Sequence, residues 1–273
     1  MQQDGDYIYI NDCNGNTYDV LGVVTADTFF NYFNSSNSNR LCDHVPEGAT
    51  LDFQGYFNST DSVCYIMEIN KPINMISTTK DAYVNLNTVA QGMTGENPGD
   101  RFTVSYNGSG TNISDIYFYN SQLWFFNAHN LTITNVTSYV DGQTIGSGVG
   151  VVAFRGGSSH IKVKDCFFFT KDNGGHSNFV LTNASYVSVD NCIIQGEGNV
   201  GNLIYLNLYN LETMGDLFLP QILQMVARGE ISINDHNNFT NCKIYGPSTP
   251  LAICYIFTEQ GSGYTVFENN TNN

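Results

Sequence analysis

Basic residues are scarce. Only 10 of the 273 residues are Lys or Arg, against 25 Asp and Glu, and the formal net charge is −15. Such a surface has little with which to neutralise phosphates, which excludes nucleic acid as a partner. The same charge is repelled by an anionic membrane surface. Charge of either sign is thin, at 13% of the chain, about half the usual share. Asn, Ser, Thr and Tyr stand in its place, a composition that suits exposed strands better than helices. Long apolar runs are missing too: no stretch has the length of a transmembrane helix, so the segment makes no membrane contact of its own. The start Met1-Gln-Gln-Asp-Gly-Asp lacks the basic and apolar regions of a signal peptide. Seven Cys is an odd number, so they cannot all pair within the chain. No Cys-x-x-Cys or Cys/His spacing suggests zinc.

What is present is a repeat. Ile161, Val163, Cys166 and Phe168 match Val187, Val189, Cys192 and Ile194, and each copy alternates apolar with polar residues. Alternation of period 2 marks a half-buried strand. Each copy breaks step at Asp165 or at Asp190-Asn191 and then resumes. One extra polar residue lets the strand turn a corner, and Asn or Asp suits that bend because it tolerates the left-handed conformation. Leu131, Ile133, Val136 and Ser138 fit the same register, as do Ile113, Ile116 and Phe118 before them and Phe239, Cys242 and Ile244 after. The positions following the corner are Ile116, Val136, Cys166, Cys192 and Cys242, with offsets of 20, 30, 26 and 50. The last is best read as two coils, one with an insertion. A unit recurring with variable loops is a solenoid. The fold expected is all-β: a right-handed, single-stranded parallel β-helix, with the three Cys as small hydrophobes in its core.

Residues 1–49 are expected to cap the solenoid and residues 50–273 to form it. In the cap, Tyr7–Val20 reads as a hairpin around Asn14-Gly15. Thr25 is placed to start a short helix with Phe29, Phe30 and Phe33 on one face, plugging the open end. Cys13 and Cys42 are positioned to pair in an oxidising compartment. Leu211–Gly229 reads as a helical insertion, with Pro220 at its start and Ile222, Leu223, Met225 and Val226 on one side. Leu251–Phe257 returns to the strand pattern, and a last strand lies near the C-terminus. A β-helix left uncapped there exposes strand edges, so the chain is read as part of a longer one whose export signal and anchor lie outside it.

Several stretches carry a resemblance. They are Glu68–Thr88, Ser109–Trp124, Gly146-Ser-Gly-Val-Gly and Gly196-Glu-Gly-Asn-Val-Gly-Asn-Leu-Ile-Tyr. Over about residues 25–268 the chain resembles the Asn/Thr-rich, adhesin-like surface proteins of methanogenic archaea. That resemblance implies a pectin-lyase-like β-helix displayed outside the cell, and no functional residues to carry over. The partner expected is a glycan or a protein of another cell's surface.

Two kinds of chemistry can be placed on this frame. If Ile116, Cys166 and Cys192 point inward, then Tyr117, Tyr119, Tyr139, Phe167, Phe169 and Tyr245 share an outer face, where rings meet sugar or protein unless a loop or the insertion covers them. Phe167 and Phe169 are the rings most in need of cover. The rival is a polysaccharide lyase or glycosidase, common on such folds. A lyase wants a carboxylate cluster for calcium beside a basic Arg or Lys. The parts available are Arg155, Lys162 and Lys164 with Asp172, Asp190 and Glu197, and stacking would bring Asp190 beside Lys164. Outward Lys and Asp on a solenoid usually serve solubility and cross-strand pairing, so a binding module is favoured over an enzyme. No residue pattern demands a cofactor. Asp12, Asn14 and Asn16 mimic the start of a calcium loop, but Thr17 and Val23 stand where Gly and Glu are required. His129, His160, His176 and His236 read as surface residues.

Overall fold

The structure is a computed structural model that describes residues 2–4, 7–11, 17–34, 39–60, 62–86, 101–142, 151–172, 177–207, 236–246 and 265–272. The chain passes in turn through three long sheets. The first sheet holds Gly22–Val24, Thr50–Phe53, Asn74–Ile76, Asn112–Ser114, Thr132–Thr134, Ser159–Lys164, Ser185–Asp190, Asn237–Thr240 and Thr265–Glu268. The second holds Tyr56–Asn58, Tyr83–Asn85, Tyr117–Tyr119, Thr137–Asp141, Phe167–Lys171, Ile193–Glu197, Lys243–Tyr245 and Thr271–Asn272. The third holds Phe33–Asn34, Arg40–Leu41, Met67–Ile69, Arg101–Val104, Gln122–Phe126, Val152–Arg155, Phe179–Thr182 and Ile204–Asn207. Neighbours pair parallel throughout, except that Phe33–Asn34 runs antiparallel to Arg40–Leu41. This is the parallel β-helix that the alternation predicts, and parallel crossovers of this kind take the right hand.

Alternation puts one side of each strand into a shared interior. Ile113, Ile133, Val163 and Val189 line up across the first sheet, and Leu123, Val152, Phe179 and Ile204 across the third, all buried. Phenyl rings fill the middle, with Phe125 stacked on Phe154 at 4.6 Å between centroids. The expected inner column exists: Ile116, Val136, Cys166, Cys192 and Cys242 are each 3% exposed or less. The amide of each residue that follows one of the last four donates to the carbonyl of the preceding rung's column residue, as Phe167 N does to Val136 O and Lys243 N to Cys192 O. The three thiols are free. Bonded to Cys166 and buried, the Cys192 thiol is pushed up to about 12, which keeps it protonated and inert.

The bend between the first and second sheets is the left-handed corner that Asn and Asp imply. Asp115, Asn135, Asp165, Asn191, Asn241 and Asn269 all have φ between 51° and 60°. Their side chains tie rung to rung: Asn135 Nδ2 donates to Asp115 Oδ1 at 2.6 Å, Asn191 Nδ2 to Asp165 Oδ1 at 2.7 Å and Asn241 Nδ2 to Asp190 Oδ1 at 2.9 Å.

Some expectations change. The stack begins before residue 50, because Gly22–Val24 already pairs parallel with Thr50–Phe53. The helix after Thr25 is a single 3₁₀ turn, Phe29–Asn31. Phe29 and Phe33 stack at 4.5 Å and are fully buried, while Phe30 is 42% exposed, since three residues per turn place it on the other side. The offset of 50 is one rung and not two: Ile193 pairs directly with Lys243 and Val189 with Phe239. The predicted hairpin is present as Tyr7–Asn11 paired antiparallel with Thr17–Val20. The expected Cys13–Cys42 pair is not formed, since the Cys42 thiol is free; Asp12, Cys13, Asn14-Gly15, Leu211–Gly229 and Leu251–Phe257 lie outside the described residues. A C-terminal strand occurs at Thr265–Glu268.

Candidate binding surface

The second sheet carries the aromatic face. Register places Tyr56, Tyr83, Tyr117, Thr137, Phe167, Ile193 and Lys243 in one outward column. Asn58, Asn85, Tyr119, Tyr139, Phe169, Gln195 and Tyr245 form the column beside it. All six rings singled out from the sequence lie on these two columns, and Tyr56 and Tyr83 extend them toward the N-terminal end. The rings stack on one another. Centroids are 4.9 Å apart for Tyr56–Tyr83, 4.8 Å for Tyr83–Tyr117, 5.5 Å for Tyr119–Tyr139 and 4.6 Å for Tyr139–Phe169, close to the rung spacing of about 4.8 Å. Each pair contributes about 0.5–1.5 kcal/mol beyond burial. Phe169 is only 5% exposed, as expected of a ring that needs cover; Phe167 is half-buried.

Stacking decides what a ligand meets. Tyr83 lies between the rings of Tyr56 and Tyr117, and Tyr139 between those of Tyr119 and Phe169, so there edges and phenol hydroxyls point outward. Tyr56 differs. Among the described residues no strand of the second sheet lies beyond its own, and the residue is 55% exposed, so one face of its ring is open. Burial, and then the neighbouring phenols of Tyr117, Tyr56 and Tyr119, push the Tyr83 hydroxyl up to about 12. Burial likewise raises Tyr117 and Tyr139. The Tyr83, Tyr117 and Tyr139 hydroxyls therefore stay protonated at any ordinary pH.

A second aromatic column occupies the corner that enters the first sheet. His160, Tyr186 and His236 lie in register on successive rungs. Each neighbouring pair has centroids 4.8 Å apart and planes within 12°. Their φ angles are 56°, 55° and 54°. Earlier rungs place Gly110 (φ 91°) and Asn130 (φ 57°) at this corner, residues that accept the conformation. For His or Tyr it costs about 1 kcal/mol or more each, and two stacked pairs return about 1–3 kcal/mol. Burial adds little, because Tyr186 is 46% exposed and both His are exposed. Beside the column, His129 Nδ1 and His160 Nδ1 meet the Ser159 hydroxyl at 2.8 and 3.0 Å. Burial lowers the pKa of His129, and the nearby His160 adds to the shift. Reading His160 and His236 as unremarkable surface residues missed this column. His176 lies outside the described residues.

The basic and acidic candidates do not converge. Lys164 and Asp190 are register partners on the first sheet, as stacking requires. Hydrogen bonds from Asn241 and Thr240 hold the Asp190 carboxyl below the usual range, with Lys164 contributing less. Lys162 lies between Thr132 and Ser188. Asp172 closes the end of a second-sheet strand: its φ is 47°, its amide donates to Glu197 O, and its Oδ1 accepts from Asn199 N at 2.9 Å. Glu197 is exposed and within 3.3 Å of Gln195 Nε2. Arg155 belongs to the third sheet, 7% exposed, with its guanidinium 4.9 Å from the Trp124 ring centroid. Among the described residues no three His, Cys, Asp or Glu side chains are grouped to hold a metal ion.

The class of molecule these features define is a parallel β-helix with stacked aromatic columns on its outer faces. No family model matches the chain, and neither does any curated protein or solved structure.

Proposed function

We propose that this chain is a stiff scaffold displayed at the outer surface of a cell, adhesin-like, and that its second sheet binds glycan. The observation that carries the reading is the run of outward rings from Tyr56 to Tyr139, closed by the buried Phe169. A saccharide laid along it meets phenol hydroxyls at each tyrosine rung and ring edges between them. At the Tyr56 end a pyranose stacks on the open ring face, where its C–H bonds meet the negative π surface. Each contact is shallow, and affinity comes from repeating them along one chain.

A glycan array followed by calorimetry tests this. The wild-type chain should bind a neutral glycan, and Tyr56→Ala should weaken binding about tenfold, or about 1.4 kcal/mol, with folding retained because the ring is exposed. Tyr117→Thr, which copies Thr137 from the next rung, should act in the same direction. An array without any hit would favour a plain stalk and end the glycan reading. The lyase reading has one observation in its favour, Lys164 beside Asp190, and unsaturated product absorbance with acidic polysaccharide would reveal it.

A further inference from the structure

We propose a second binding site on the first sheet, built by His160, Tyr186, His236 and Lys162, for an anionic saccharide bearing carboxylate or sulfate. Three observations meet there. The ring column holds a backbone conformation that Asn or Gly adopts without strain at the same corner of other rungs. It gains no burial in exchange, since all three side chains are exposed. Sequences keep strain of this sort where the side chain has work beyond folding.

The third observation is charge. His160, Lys162 and Lys164 alternate along one strand and are all exposed, in a chain with only 10 Lys and Arg. Equivalent outward positions on the rung before are Thr132 and Thr134. Lys164 faces Asp190, but the neighbours of Lys162 across the sheet are Thr132 and Ser188, and it makes no ion pair among the described residues. An ammonium group with neutral flanks therefore stands beside a ladder of ring edges. Those edges offer an imidazole N–H at His160 and a phenol O–H at Tyr186 on successive rungs, with the Ser188 hydroxyl on the same outward face. A saccharide lying along the corner has its hydroxyls met by the ladder and its anionic group by Lys162, in a charge-assisted hydrogen bond.

The test uses the whole chain with three probes: an oligogalacturonate, a sulfated dextran oligosaccharide and the unmodified dextran. Wild type should bind at least one anionic probe and prefer it to the neutral one. Which anion binds tells carboxylate from sulfate as the source. Lys162→Thr and Tyr186→Asn, both copied from the preceding rung, should each weaken that binding about tenfold or more. Tyr186→Asn gives up both stacked pairs and relieves one strained residue, so it should melt only a few degrees below the wild type. Tyr117→Thr on the second sheet should leave anion binding unchanged, which separates this site from the glycan strip. The proposal is overturned if neither anion binds, if Lys162→Thr and Tyr186→Asn both bind as wild type, or if Tyr117→Thr abolishes anion binding. A melting temperature for Tyr186→Asn lowered as far as that of a buried-ring deletion such as Phe169→Ala would overturn it by showing that the column is kept for stability.

Discussion

The two aromatic columns have the same ring spacing and opposite origins. On the second sheet, rings rise from ordinary strand positions; they stack because parallel register sets each above the last, and they gain burial, to the point that Phe169 is 5% exposed. At the corner entering the first sheet, His160, Tyr186 and His236 stack equally well from a backbone conformation that opposes them, and stay in water. Stacking alone thus says little about why a ring is kept. Backbone conformation and exposure separate a column that stabilises its own sheet from one that adds little to the fold.

Replacement of one ring in each column would break or sharpen the contrast most. Phe169→Ala should cost about 3 kcal/mol in urea unfolding, the usual loss for a buried Phe, whereas Tyr186→Asn, which loses two stacked pairs and sheds one strained residue, should cost about 1 kcal/mol. Equal losses would erase the distinction. Next comes the matching corner on the other side of the first sheet, where the residue type agrees with the backbone. Asn191→Ala gives up an easy left-handed conformation and the 2.7 Å bond to Asp165. It should lower stability by about 2 kcal/mol, near 1 from each source. The smallest effect is alkaline. Tyr83 ionises at about 12 in the fold against 10.0 ordinarily, so the folded state holds that proton more tightly. Its contribution is complete below pH 10, declines as pH climbs toward about 12, and should vanish from the denaturation midpoints of Tyr83→Phe.

Much of this could be read from residue order. The column Ile116 to Cys242 and the Asp/Asn corner were legible because both recur at shared offsets with constant chemistry. The N-terminal rungs were harder. Six residues, 77–82, separate the strand ending at Ile76 from the one starting at Tyr83, while only two, 115–116, separate Ser114 from Tyr117. The longer corner hides the register, and Tyr83 with it. The third sheet shows weak alternation because its outward side is also buried: Trp124 is 8% exposed, Ala153 0% and Val180 1%. The corner column was present in the numbers. His160, Tyr186 and His236 are spaced by 26 and 50, as Cys166, Cys192 and Cys242 are. It went unseen because a search by residue type does not align His with Tyr, and because the interval of 50 passes for two rungs when no partner strand is known.

Rungs of 20, 30, 26 and 50 residues keep one register. Length and alignment are therefore inherited separately in this molecule. A segment gained or lost between strands changes what surrounds the rings without altering the interval at which they repeat. The periphery can differ from rung to rung while the spine continues to measure distance in the same units.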